Sequence, residues 1–369
     1  MNNYYKPIGE FMWINFMPMG TLAIADWIDR HGFPTRVVHT GIEWIEDPAY
    51  RIEDTLQRLQ PRVVGLTLHW HQQACDVIET ARRIKAAAPE TFVVVGGFTA
   101  GYYHDEIVRD YDCIDAVVRG DAEEPMLELV RQIVGGDGRL EDVPNLTWRR
   151  DGEILENPLG YVGTREFVNQ LRFTNFPLLD RYETYIRCIG LPFIYAKNES
   201  RKANFWKYSI RSPLFPLCIG RGCPVDCSYC GGSHSSQQRI SGRTGYFYRS
   251  IDAIIDSVVE AKKYGYETMH TAYDPEPRQQ ELFVRLWREL RKRGIEVEWF
   301  FECNALPSRD MIDEFALTFP NRKKSVLAVS PETGSERVRR ANRGFFFSNK
   351  ELLECLDYID RKGIAMEVF

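Results

Sequence analysis

The sequence has no run of about 18 uninterrupted apolar residues able to cross a bilayer. Its first ten residues are polar and lack the apolar core of a signal peptide. Low-complexity segments and short-period repeats are also missing, and disorder and coiled coil are not expected. Charge of either sign is not in excess, with 47 Lys plus Arg against 52 Asp plus Glu. A formal net charge of −5 gives no reason to expect nucleic acid or an anionic membrane as the main partner without a local patch. These absences leave a cytoplasmic protein as the expectation.

What is present is a chain of 369 residues, 44% hydrophobic, which suits roughly two globular domains. Its nine cysteines are unevenly spread. Cys218, Cys223, Cys227 and Cys230 fall within one short stretch, and such a cluster in a large cytosolic chain points to metal or redox chemistry, not a disulfide scaffold.

Within a first domain taken as residues 1–150, residues 1 to about 125 alternate short apolar runs with amphipathic stretches, the pattern of a parallel sheet with crossover helices. The runs are Met12–Phe16, Thr35–Val38, Val63–Leu68, Phe92–Val95 and Ala116–Val118, which predicts a five-stranded, Rossmann-like doubly wound domain. In such sheets ligands sit beyond the carboxyl ends of the strands. Residues 151–213 read as a connector, entered through a hairpin that turns at Asp151-Gly152. The aromatic-rich segment from Phe173 to Trp206 reads as packing between domains.

From 214 to 369 the alternation resumes, with runs at Leu214–Ile219, Thr268–Ala272, Val297–Glu302, Ser325–Val329 and Ile364–Phe369. Gly265 and Gly294 stop two of the intervening helices. Ser308 opens another, and Ser348 with Glu351 forms a capping box. Repeated units without an internal hairpin imply a (β/α) barrel, complete or partial, with function at its strand C-termini.

Cys223, Cys227 and Cys230 follow the first barrel strand with the spacing C-x3-C-x2-C. Soft thiolates select iron–sulfur clusters, zinc or copper(I). A structural zinc or an ordinary ferredoxin cluster needs four protein ligands. Cys218 would be the fourth, although within a strand it reads better as a buried thiol. Three ligands suffice where one metal position stays open.

With Tyr229 just before the last cysteine, this segment resembles the cluster motif of the radical S-adenosylmethionine (radical SAM) superfamily. The resemblance implies a (β/α)6 barrel and a 4Fe-4S cluster on Cys223, Cys227 and Cys230. It also implies that S-adenosylmethionine chelates the open iron and is cleaved reductively to a 5′-deoxyadenosyl radical, with Tyr229 near the adenine. Gly231 and Gly232 either let the backbone approach that cofactor or turn the loop. Asp274, in "AYDPEP", lies where the superfamily presents polar groups to the methionine end, though the frequent Gly-Gly-Glu is absent and a plain turn reads equally well. Glu332, in "SPETGSERVRRANRG", resembles the Glu-Ser-Gly-Ser to Asn-Lys-Gly segment of radical SAM enzymes with an N-terminal cobalamin-type domain. Arg339, Arg340 and Arg343 in the same segment read as a solvated helix face.

The strings "MPMGTLAIADWIDRHGF", "VVGLTLHWHQQACDVIETARRIKAAAPETFVVVGGFTAGYYHDEI" and "DAVVRGDAEEPMLELV" look like the cobalamin-binding domain that precedes many radical SAM barrels. The resemblance places the corrin near Gly20, Thr67, His69, Gly96, Gly97 and Gly120. The D-x-H-x-x-G motif that supplies a lower axial histidine elsewhere is missing, since that loop reads Met17-Pro18-Met19-Gly20. Glu123 and Glu124 read as helix-capping acids.

The reading is thus a cobalamin-dependent radical SAM enzyme using a 4Fe-4S cluster, S-adenosylmethionine and cobalamin. Its partners would be a small-molecule or lipid-like substrate and a reductant such as flavodoxin or ferredoxin. C-methylation is the favoured reaction. A radical SAM enzyme without cobalamin, performing a rearrangement or cyclisation, and a non-catalytic zinc or iron–sulfur protein remain the alternatives. A radical SAM barrel usually has six units, so an apolar fifth strand at Phe369 predicts a C-terminally truncated chain.

Overall fold

The computed structural model describes residues 17–136, 138–187, 214–321 and 324–369. The expected strand at Met12–Phe16 and part of the aromatic-rich segment lie outside the described residues.

The first sheet has five strands, in the order β1 (Val63–Thr67), β2 (Phe92–Gly96), β3 (Ala116–Val118), β4 (Leu146–Arg150) and β5 (Glu153–Glu156). The first three are parallel, and β4 runs antiparallel to both of its neighbours, β3 and β5. The hairpin read at Asp151-Gly152 is present, with both residues left-handed as a tight two-residue turn requires. It extends this sheet past position 150. The run Thr35–Val38 is not a strand. Val37 makes a single bridge to Leu179, and the chain then turns into a helix at Thr40, capped by His39. Burial lowers the pKa of His39 to about 4, so its neutral Nδ1 accepts the Ile42 amide.

The second sheet is wholly parallel, in the order β12 (Ala365–Val368), β11 (Val326–Val329), β10 (Glu298–Cys303), β9 (Thr268–Thr271) and β6 (Leu214–Pro216). Helices Ile251–Lys263, Glu281–Lys292, Arg309–Thr318 and Asn349–Arg361 connect the strands, and their buried stripes follow the predicted periodicity. Trp299, Phe301 and Cys303 join Phe283, Trp287, Phe315 and Phe319 in the main core, while Phe300 packs with Leu214, Val326 and Ala328 in a separate cluster. That alternation along β10 separates the helix-covered face from the concave face. Each fully buried Phe or Leu contributes roughly 1.5–3 kcal/mol.

One feature departs from a plain repeat. Between β6 and β9, β7 (Gly220–Arg221) pairs antiparallel with β8 (Phe247–Tyr248), a two-residue ribbon that carries the chain out beyond the sheet. The cysteine stretch starts two residues after β7.

Candidate functional site

The cysteine loop is braced from within and from outside. Cys230 N donates to Cys227 O at 3.0 Å, Ser233 N to Cys230 O at 3.1 Å and His234 N to Val225 O at 3.0 Å. Asp226 accepts the Ser235 amide and hydroxyl at 2.8 and 2.7 Å, tying the loop to the helix His234–Ser241. The loop after β11 then reaches across. Ser228 bonds Asn342 through backbone and side chain, both at 2.8 Å, and the Gly344 amide donates to Cys227 Sγ at 3.2 Å. A Cβ on Gly344 would lie 2.6 Å from Val225 Cβ, so only glycine lets the two loops meet this closely.

Burial pushes the Cys223 thiol up, and negative charge on Cys230 and Cys227 adds to the shift. Cys230 is exposed, whereas Cys223 and Cys227 are half-buried. Cys218 packs against Ala23, Val168, Leu171 and Phe173, so a zinc tetrad of the four cysteines is not assembled. Among the described residues, no three His, Cys, Asp or Glu side chains are grouped to hold a single metal ion. Three cysteines on one braced loop supply the soft donors that a cluster keeping one iron free would need.

The arginines of the next loop correct the sequence reading. Arg339 is 1% and Arg343 8% exposed. Arg339 donates to the carbonyls of Pro331 and Thr333, either side of Glu332, and to Phe347 O. Arg343 donates to the carbonyls of Ser330 and Asn304. They pin a loop whose carbonyls would otherwise be orphaned. Arg340 is exposed as expected and lies over Phe346. Glu332 is exposed with φ +63, a left-handed conformation uncommon for glutamate. Tyr229 is exposed too. Its phenol is pushed up to about 12 by partial burial, with Arg343 opposing and Glu332 and Cys227 adding.

Gly231 has open space around it, and Gly232 sits 3.8 Å from Cys230 Sγ, counted from an added Cβ. Asp274 is buried at the end of β9. It accepts Tyr248 Oη at 2.6 Å and Glu276 N at 3.1 Å, and burial raises its pKa to about 6. Next to it, Tyr273 Oη donates to Gly222 O at the base of the cysteine loop. On the concave face, His270 Nε2 and Glu302 Oε1 are 2.8 Å apart, a pair the sequence did not mark.

At the first sheet, Thr67 and Thr21 hydroxyls lie 3.2 Å apart, joining the end of β1 to the helix that contains Gly20. Gly96 ends β2, and Gly97 follows in a left-handed conformation against Leu68 O. His69 stacks edge-on against Phe98 and Trp70, and burial lowers its pKa. Trp70, Tyr102 and Tyr103 are exposed along the same edge. Gly120 lies apart from them. With φ +70 it abuts the barrel half, where a Cβ would meet Ser241 Cβ at 2.5 Å.

Beside Gly120 is an ionic network that links the two halves. Arg221, two residues before Cys223, pairs with Glu123 and, at 3.0 Å, with Asp121. Arg243 pairs with Asp121, which also accepts the Gly163 amide at 2.8 Å. Glu123 is 2% exposed, so it bridges the domains instead of merely capping its helix. Neither spacing nor composition marked Asp121, Arg221 or Arg243, because the pairs are more than 90 residues apart in sequence.

Residues 217–368 of this chain match the model of the radical SAM superfamily, and residues 15–130, ahead of them, match that of a B12 binding domain. A relative is the cytidylyl-2-hydroxyethylphosphonate methyltransferase of Streptomyces wedmorensis, 22% identical over 75% of this chain and 54% of its own length. Another is the hopanoid C-3 methylase of Methylococcus capsulatus, 23% identical over 69% of this chain and 42% of its own. The fold is shared with the radical S-adenosylmethionine methyltransferase TsrM of Kitasatospora setae, with a TM-score of 0.64, 18% identity, and coverage of 96% of this chain and 65% of that one. The chain spans about half the length of the two curated relatives. No helix among the described residues is long and apolar enough to cross a membrane.

Proposed function

We propose that this chain carries the cofactor-binding halves of a cobalamin-dependent radical SAM methyltransferase. The observation that carries the reading is the three-cysteine loop at the carboxyl edge of a parallel sheet, tied by Arg221 to the strand ends of a B12 binding domain. When bound, the 4Fe-4S cluster supplies the electron for reductive cleavage of S-adenosylmethionine, and cobalamin a transferable methyl group.

Cys223, Cys227 and Cys230 would hold the cluster. Gly344 N steadies the Cys227 sulfur, and Gly231 leaves the backbone open to S-adenosylmethionine beside Tyr229. Asp274 would serve the same cofactor mainly by fixing Tyr248 and the turn at Glu276, and Glu332 by its exposed position. Gly20, Thr67, His69, Gly96 and Gly97 would border the corrin, and Gly120 would set the approach of the two domains. The first domain is taken to Glu156, because the hairpin completes its sheet. A connector then runs to 213, and residues 214–369 form the barrel. The substrate is a small or lipid-like molecule, and the reductant a flavodoxin or ferredoxin. A cytoplasmic setting agrees with the eight described cysteines, all free thiols.

Anaerobic reconstitution tests the reading. Reduced protein given S-adenosylmethionine should yield 5′-deoxyadenosine, and no cleavage despite a full complement of iron would overturn it. Cleavage without corrin retention on gel filtration would favour the cobalamin-free alternative.

A further inference from the structure

We propose that Arg343 sets how readily the cluster on Cys223, Cys227 and Cys230 accepts an electron. The inference rests on the proposed cluster site and concerns a residue that the charge pattern had placed in solvent.

Arg343 is more than nine-tenths buried, and its hydrogen-bond partners among the described residues are backbone carbonyls, not carboxylates. Two of its nitrogens are spent on the carbonyls of Ser330 and Asn304, which fixes the guanidinium at the rim of β10 and β11. Its Nε is buried without a hydrogen-bond partner. Such a donor is costly to leave unmade unless something bound completes it. The next residue, Gly344, already donates its amide to Cys227 Sγ at 3.2 Å. The loop therefore fixes a buried cation one residue from the neutral donor that reaches the Cys227 sulfur.

Reduction adds one electron, hence one negative charge, to the cluster. A low-potential one-electron donor supplies it, and no bond is made or broken in that step. A buried cation stabilises the added charge more than a solvated one, because little water screens it. Hydrogen bonds to sulfur and nearby charge are established determinants of cluster potential. Glu332, exposed on the same loop, opposes the effect with weaker leverage.

The test is a potentiometric titration of the reconstituted full chain with dithionite, read by the EPR signal of the reduced cluster. Arg343→Met should lower the midpoint so that the reduced-to-oxidised ratio at a fixed potential falls about tenfold, about 59 mV for one electron. Arg343→Lys, which keeps the charge, should fall by less, and Glu332→Gln should move the opposite way. Arg340→Met, the exposed neighbour, should not move. Should Arg343→Met fail to load iron, the Glu332→Gln and Arg343→Lys results still decide. Unchanged midpoints in cluster-loaded variants, or an equal shift in Arg340→Met, would overturn the inference. A wild-type protein without the cluster signal would instead sink the reading beneath it.

Discussion

The cysteine loop and the carboxyl edge of the first sheet are both proposed cofactor sites, yet they are built in opposite ways. The loop is cross-braced by Gly344, Asn342, Asp226 and Tyr273. The other edge leaves Trp70, Tyr102 and Tyr103 exposed, with few side-chain bonds to hold them. A cluster needs thiolates fixed before it assembles. A large flat ligand needs an apolar edge to lie against, at the cost of leaving it exposed when free.

The contrast is broken most strongly at the sulfurs. Cys227→Ala should remove the cluster and reduce 5′-deoxyadenosine formation to background, measured by iron, sulfide and product assays, while leaving the first domain folded. Arg221→Ala is next. It strands Glu123 in the interface, so unfolding should become easier by about 3–5 kcal/mol in a denaturant titration. Gly344→Ala forces an added methyl against Val225 and should cost about 1–3 kcal/mol, with reduced iron loading.

Asp274 sharpens the comparison through pH. Its folded pKa, about 6, lies above its ordinary value of 3.8. The folded state therefore holds the proton more tightly, and this group's contribution to stability falls as pH rises from about 4 to about 6. Asp274→Asn keeps an oxygen for Tyr248 and Glu276 N, so it should be more stable than wild type above pH 6 by roughly 2–3 kcal/mol, and no different near pH 4. Equal melting curves at both pH values would refute this. The smallest stability effect belongs to the open edge. Trp70→Ala should change unfolding by within about 0.5 kcal/mol, as exposed positions usually do. Corrin retention on gel filtration should nonetheless fall several-fold, and unchanged retention would remove Trp70 from the site.

The barrel half was legible because its signals are local. Alternating apolar runs, Gly265 and Gly294 after helices, and the Ser348–Glu351 capping box each act within a few residues. The hairpin was legible too, but not which sheet it would join, since pairing partners lie outside its own sequence. Thr35–Val38 looked like a strand by composition, and the His39 cap and the Leu179 bridge decided otherwise. Arg339 and Arg343 were misread because three arginines on a short helix resemble a solvated face. What buries them is a set of loop carbonyls, and no periodicity reports those. The Arg221–Glu123 link was hidden for the same reason, its two halves being far apart in the chain.

The central claim is that one chain holds a cluster and a corrin at two independently built edges. It is tested most directly by the iron and corrin content of anaerobically reconstituted, gel-filtered protein, wild type beside Cys227→Ala. The account predicts about four irons with corrin for wild type, and corrin without iron for the variant. Stoichiometric zinc with neither cofactor in the wild type would contradict it.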